Sequence, residues 1–493
     1  MFKKILIANR GEIAVRIIRT CRDMGIQTVA LYEESDRGSL HVRLADECVQ
    51  LQSSSGFFDQ AAILEIAQTT GAEAIHPGYG FLTERPDFIT ACTAAGIAFV
   101  GPPVDVMLSQ HNKIDVLQKI RAAGFDTMNY SLMSFGADDF AELRAEADRM
   151  GYPLAIKSCI GGRGRGAHIA ARAERLERAF QHAQTETQII YGDQRVYLER
   201  VIKPAHLIGV QVLADDHGHF VHLGEREGSL QRGNQKMIEE SPSPVLTQKQ
   251  REHMWQTAIE IARLVNFRSA GSIEFFVDGS GQYYFSEIKP RIQMEHPVTE
   301  MVSAVDIVRE QIRIAAGEPL SITQADVQLR GHAISCRISA EDPWHHFMPG
   351  SGRLQRVRLP AGPGVRVDTH VYDGYPMPAQ YDPIIARVIV WGIDRDDCVR
   401  RIQRALSETS LIGLPTNLPM HQLIVNHPDF IAGNYATDSL QREIPEIVLT
   451  ERDARDLAVA AAIIYVRRNL TRPSDIPARL LSGWHQSSRR LPE

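Results

Sequence analysis

The stretch SIEFFVDGSGQYYFSEIKPRIQMEHPVTEM sets side chains capable of chemistry at close, regular intervals. Two aromatic-rich runs flank Asp278-Gly279-Ser280-Gly281, a turn sequence that predicts a β-hairpin. If the hairpin is symmetric about Ser280 and Gly281, Glu274 stands directly across from Glu287. Like charges in that position repel, so a cation is expected between them. Magnesium is the economical choice, because it takes one or two carboxylates and completes its shell with phosphate oxygens and water. A nucleotide site follows; the competing reading is two glutamates on a solvent-facing sheet. Past the hairpin, Arg291, Gln293 and Glu295 alternate with Ile292 and Met294, so an extended chain projects the three polar groups from one face. The guanidinium fork of Arg291 matches a planar anion such as bicarbonate, and Glu295 is placed to take its proton as a general base. A weak surface Arg–Glu pair is the alternative.

These groups need a scaffold, and the chain supplies alternating patterns for one. Strands are predicted over Lys4–Ala8, Gln27–Tyr32, Ala74–Ile75 and Ala98–Val100, and helices over Glu12–Met24, Asp59–Thr70 and Glu84–Ala95. Such alternation predicts a doubly wound parallel sheet. Its first turn, Asn9-Arg10-Gly11-Glu12, lacks the GxGxxG spacing of a dinucleotide site. Residues 126–139 read as irregular. A helix over Asp139–Met150 then leads into GYPLAIKSCIGGRGRGAHIA, a strand, glycine-rich turn and strand that fit a small lid. Beyond Tyr197–Arg200 the pattern becomes α+β, with its final helix near Asp396–Glu408. The boundaries expected are 1–112, 113–203, 204–447 and an appended 448–493 that opens on an amphipathic helix.

Composition narrows the class. The 493 residues carry 54 basic and 60 acidic side chains, a net charge of −6 that gives no footprint for nucleic acid or an anionic membrane. An apolar fraction of 44% is that of an ordinary globular protein. Six scattered cysteines form no CxxC pair, which disfavours a zinc ribbon or disulfide framework and points to the cytoplasm. The longest apolar run, LAVAAAIIYV, falls short of the roughly 20 residues that cross a bilayer.

Four blocks, ILIANRGEIAVRIIR, HPGYGFLTE, PRIQMEHPVTEM and SCRISAEDP, occur in the order found in biotin carboxylases, and over roughly residues 2–447 the chain resembles that family. The resemblance implies an ATP-grasp fold of mixed α/β and α+β class, with an N-terminal Rossmann-like domain, a small lid domain and a C-terminal domain. It implies that ATP phosphorylates bicarbonate to carboxyphosphate, which then carboxylates biotin on a carrier protein, with Mg2+ or Mn2+ as the metal. Matched by position, Glu274 and Glu287 are the metal ligands, Arg291 the bicarbonate clamp, Glu295 the base and Arg337 the cation that stabilises the biotin enolate. Gln293 and Val298 match neighbouring positions. Lys113, Lys157 and Lys236 match lysines facing nucleotide phosphates or carboxyphosphate. Glu199 and Ile202 match the adenine-facing hinge, Gln231 and Asn234 nucleotide-facing positions, and Gly161, Gly162 and Gly164 the glycine-rich lid turn.

Departures from the family pattern gather around the nucleotide. Ile160 and Arg163 replace glycines of the lid turn, and a β-branched residue is expected to be strained there if φ is positive. Asn234 replaces a histidine and Gly233 an arginine, while Leu207 and Gly209 stand where the family has histidine and glutamate. Lys289 takes the place of an asparagine beside Glu287, which argues against a second metal ion. Two functional classes therefore stay open: an active biotin carboxylase subunit of a multisubunit acetyl-CoA or other acyl-CoA carboxylase, or a non-catalytic paralogue that assembles or regulates such a complex. A ligase for another carboxylate or amine is a third. No biotinyl-lysine motif occurs in the chain, so a biotin carboxyl carrier protein and carboxyltransferase subunits are the expected partners, beside a homodimer or a pairing with a second biotin carboxylase subunit. The segment ARDLAVAAAIIYVRR is either a docking helix or a cap on its own domain.

Overall fold

A computed structural model describes residues 1–161, 168–233, 235–442 and 451–470, and within the last stretch the side chains of 455–466. Near the N-terminus, five parallel strands lie in the order Glu47–Gln50, Gln27–Tyr32, Lys4–Ile7, Ala74–His76, Ala98–Phe99. Ile5, Leu6 and Ile7 have no exposed surface, as a parallel sheet covered on both faces requires. The helix Gly11–Asp23 turns Ile13, Ile17, Ile18 and Cys21 onto that sheet. The edge strand Glu47–Gln50 and the helix Leu40–Leu44 were not foreseen. ECVQ is polar and half-exposed at an edge, so it carries neither an apolar run nor a clean alternation.

The lid is a three-stranded sheet, His168–Ala170, Leu154–Ser158 and Val196–Arg200, backed by helices Phe140–Met150 and Leu176–Tyr191. Leu143, Leu154, Ile156, Phe180 and Leu198 form its own core. Beside it stands an eight-stranded antiparallel sheet in the order Tyr283–Lys289, Ser269–Asp278, Ala205–Ala214, Phe220–Arg232, Gln235–Ser241, His332–Ser339, Ile384–Gly392, Val365–Thr369.

The predicted hairpin forms, and Glu274 does pair with Glu287, but by another route. Next to the turn the register is Val277 with Tyr283 and Phe275 with Phe285; a shift between Glu274 and Phe275 then brings the two glutamates opposite each other. Gly271, on the same strand, admits no side chain. A Cβ there would lie 2.4 Å from the Phe267 ring and 2.6 Å from the Lys289 carbonyl oxygen. Gly271→Ala is expected to cost about 1–3 kcal/mol through overpacking, read as a lower urea midpoint with an unchanged slope.

The helix expected near 396–408 forms as Arg395–Glu408 but is not the last before the tail. Helices Leu418–Asn426, Pro428–Ala432 and Ser439–Arg442 follow. Pro419 and Pro428 both sit in the first helical turn, where a missing N–H costs nothing. Residues 1–443 and 444–493 form separate compact units. In the second, Glu451–Leu470 is helical as expected, but it is not amphipathic over its described side chains. Leu457, Val459, Ile463, Ile464, Tyr465 and Val466 are all exposed and lie around the whole circumference. No described helix is long and apolar enough to cross a membrane.

Candidate active site

Between the lid and the eight-stranded sheet lies a cavity of about 390 Å³. Lys113, Lys157, Glu199, Ile202, Gln231, Lys236, Glu274, Glu287, Arg291, Gln293, Glu295 and Arg337, twelve of the residues singled out in sequence, all line it. Gly161 instead borders a smaller neighbouring cavity and has φ +75. Val298 lines neither cavity; its side chain is fully buried in a cluster with Val302, Ala333 and Ile389. Gly162, Gly164, Arg163 and Asn234 lie outside the described residues.

Each lysine reaches the cavity from a different element. Lys113 opens the helix Lys113–Ala122, and its ammonium lies 3.9 Å from Glu287. A cation at a helix N-terminus opposes the macrodipole, so an anion must compensate it. Burial and the neighbouring lysines push its pKa down. Lys157 comes from the lid strand Leu154–Ser158 and is paired with Glu199. Lys236, on Gln235–Ser241, bridges two carboxylates, 2.7 Å from Glu274 and 2.5 Å from Glu295.

These contacts set the charge states. Burial raises the Glu287 pKa, but Lys289, at 2.7 Å, and Lys113 outweigh it and hold the carboxyl well below the usual range. Glu295 behaves the same way, with Lys236 and Arg226 outweighing burial. Burial also disfavours the Lys236 ammonium, yet Glu274 and Glu295 drive its pKa up. Cations therefore face both of the paired glutamates: Lys236 on Glu274, and Lys289 and Lys113 on Glu287. Its lowered pKa keeps Glu295 ionised at neutral pH, the form a general base requires.

Glu274 and Glu287, side by side and facing this cavity, fit a magnesium ion that also takes phosphate oxygens and water. Among the described residues no group of three or more histidine, cysteine or acidic side chains could hold a metal ion. When bound, magnesium neutralises phosphate charge.

The period-two reading of Arg291–Glu295 holds for Ile292, fully buried in the core, but fails for Met294, which lines the cavity. The chain here bends rather than running as a strand. Arg291 donates from Nε to Glu84 (2.5 Å) and from Nη1 to the Ile292 carbonyl (3.2 Å). Arg337 forms a two-oxygen contact with Asp382 (2.7 and 2.6 Å). Arg387, missed in sequence, is fully buried 3.3 Å from Glu239 and borders the same cavity. An arginine inside the apolar strand IIARVIVWG was its signal.

Family models match almost the whole of the first unit: the biotin carboxylase N-terminal domain over residues 1–107, the carbamoyl-phosphate synthase L chain ATP binding domain over 115–323 and the biotin carboxylase C-terminal domain over 335–442. A biotin carboxylase from Nostoc sp. is 46% identical over 447 residues, covering 89% of this chain and 99% of its own. The chain belongs to the biotin carboxylase family. The propionyl-CoA carboxylase alpha chain from Ruegeria pomeroyi is 41% identical over 493 residues, covering 94% of this chain and 72% of its own. The biotin carboxylase domain of Hydrogenobacter thermophilus 2-oxoglutarate carboxylase, solved as a dimer with MgADP, ADP and bicarbonate, superposes with a TM-score of 0.86 at 40% identity, covering 90% of this chain and 98% of that one.

Two of the positions expected to depart from the family pattern have a visible outcome. Ile160 is not among the residues with positive φ, so the strain anticipated there is absent; the left-handed turn falls on Gly161. A Cβ at Gly161 would lie 2.1 Å from the Tyr191 ring, which explains glycine at that point. Leu207 is buried and lines the cavity, adding an apolar wall where a polar contact was expected to be missing.

Proposed function

We propose that this chain is the biotin carboxylase subunit of a multisubunit acyl-CoA carboxylase, with acetyl-CoA the first acyl group to test. The observation that carries the reading is one cavity in which Lys236 joins the metal-type carboxylate Glu274 to the candidate base Glu295, with Arg291 and Arg337 also lining it. Lys113, Lys157 and Lys236 receive the nucleotide phosphates, while Glu199 and Ile202 border the base. Arg291 orients bicarbonate for attack on the γ-phosphorus; the bond to ADP breaks and carboxyphosphate forms. Glu295 takes a proton during this step, and Arg337 stabilises the negative charge that develops on the biotin ureido oxygen. The carboxylated biotin then leaves on a separate carrier protein for a carboxyltransferase, in the cytoplasm. The enzyme works as a homodimer or beside a second biotin carboxylase subunit. Transfer of label from bicarbonate to free biotin, dependent on both ATP and magnesium, tests the reading; ATP-independent or absent transfer contradicts it.

The two half-reactions should separate at Arg337. Arg337→Ala is expected to reduce carboxyl transfer to biotin by about 10²-fold or more, because it removes a donor aimed at developing charge. Bicarbonate-dependent ATP cleavage, which precedes the enolate, should fall far less. Equal losses in the two assays would remove this division of labour.

A further inference from the structure

Behind the Arg291–Glu295 segment, the strand Phe220–Arg232 sends Arg226 into the interior, 2% exposed. Among the described residues it forms no ion pair. Its hydrogen-bond partners are neutral: Nη1 donates to Gln211 Oε1 (2.7 Å) and Thr299 Oγ1 (2.9 Å), and Nη2 to Gln293 Oε1 (2.7 Å). Burial pulls its pKa down, and the carboxylates of Glu295, Glu274 and Glu239 act on it without a direct hydrogen bond. A link of this shape between strands needs no charge, so the arginine calls for a further reason.

Register supplies it. Arg226 pairs with Gly209, and Gly209 pairs on its other side with Glu274. Arg226 and Glu274 therefore share a face of the sheet, separated by a residue without a side chain. Gln293 spans the gap: its Oε1 accepts from Arg226 and its Nε2 donates to Glu274 Oε1 (3.1 Å). Because arginine only donates, the amide of Gln293 has one permitted orientation, oxygen toward Arg226 and NH2 toward Glu274 and the cavity. Lys236 then continues the chain from Glu274 to Glu295.

We propose that Arg226 is a positioning residue of the bicarbonate pocket: it locks the Gln293 amide so that one N–H serves Glu274 and the other is presented to a bicarbonate oxygen between Arg291 and Glu295. The proposal rests on the carboxylase reading above. Arg226 touches no substrate; it acts through Gln293, and its fork ties together the strand Ala205–Ala214, the helix His296–Ser303 and the loop carrying Gln293. A lysine has one point of charge and cannot meet three acceptors held in this planar arrangement.

The test measures KM for bicarbonate and for MgATP in bicarbonate-dependent ATP cleavage by the full chain. Arg226→Gln and Arg226→Lys are each expected to raise KM for bicarbonate about tenfold while KM for MgATP stays within about twofold, the scale of one misdirected hydrogen bond. Gln293→Leu should do the same. Combining it with either Arg226 substitution should add less than about twofold, since both act on one contact. A rise in both KM values together, multiplicative effects in the double variants, or wild-type kinetics for Arg226→Lys would overturn the assignment. If Arg226→Gln does not fold, Arg226→Lys, which keeps the charge, carries the same comparison. A native chain that cleaves no ATP with bicarbonate defeats the carboxylase reading itself, and that failure is distinguished by needing no variant.

Discussion

Glu295→Gln is expected to lower biotin carboxylation by about 10²–10⁴-fold, the range contributed by a positioned general base, while the protein stays folded. Glutamine fills the same volume, and its carbonyl oxygen can still accept from Lys236 at the present 2.5 Å contact. What is lost is the negative charge and with it the ability to take a proton. The folded state gives up the attraction of Lys236 and Arg226 for a carboxylate, but it also no longer buries an anion. Carboxybiotin formation measured beside urea unfolding separates the two effects. Turnover within about twofold of wild type would remove Glu295 from the base role.

Lys236→Met should have the largest effect on stability, because one substitution leaves two carboxylates, 3% and 8% exposed, without their shared cation. Breaking a buried pair of this kind costs about 3–5 kcal/mol, with activity lost as well. Its pH dependence has a definite sign. In the wild type, Glu295 has a folded-state pKa below its unfolded value, so its contribution to stability is present above the ordinary glutamate pKa of about 4.3 and is lost as pH falls through the lower folded value. The Lys236 pKa is raised, so its contribution is present below about 10.4 and is lost only as pH rises through the higher folded value. Without Lys236 the balance at Glu295 tips toward burial, and folding then favours the protonated carboxyl. The deficit of Lys236→Met should therefore be widest near neutral pH and narrow toward pH about 5. A deficit independent of pH would contradict the shared-cation account.

Much of this site was readable before any fold was known, for a physical reason. A hairpin turn fixes register within a few residues, and like charges facing each other demand an answer, so Glu274 and Glu287 stood out from local sequence alone. Even there the route differed, since a shift beside Phe275 restores a pairing that the turn alone would not give. Arg291, Gln293 and Glu295 were legible as a polar row, whereas Met294 was assigned to the wrong side because a bend breaks the two-residue period. Lys113, Lys157 and Lys236 arrive from a helix, the lid and the central sheet, and nothing local marks them; only the resemblance to the family picked them out. Arg226 was invisible, and Arg387 was marked only by its place inside an apolar strand, for a related reason: a buried guanidinium is recognised by its partners, and Gln293, Thr299 and Glu239 lie far away in sequence. Two of the three short helices after Glu408 carry a proline in their first turn, where it opens a helix rather than ends one.

The central claim is that this chain activates bicarbonate with ATP in the cavity that holds Lys236 and Glu295. Oxygen-18 bicarbonate tests it most directly, because an oxygen that attacks the γ-phosphorus stays on phosphorus when carboxyphosphate later gives up its carbon. The account predicts that phosphate released by the native chain, with ATP, magnesium and free biotin, carries one labelled oxygen per turnover. Phosphate that takes its oxygen from water, or no bicarbonate-dependent phosphate at all, would contradict it.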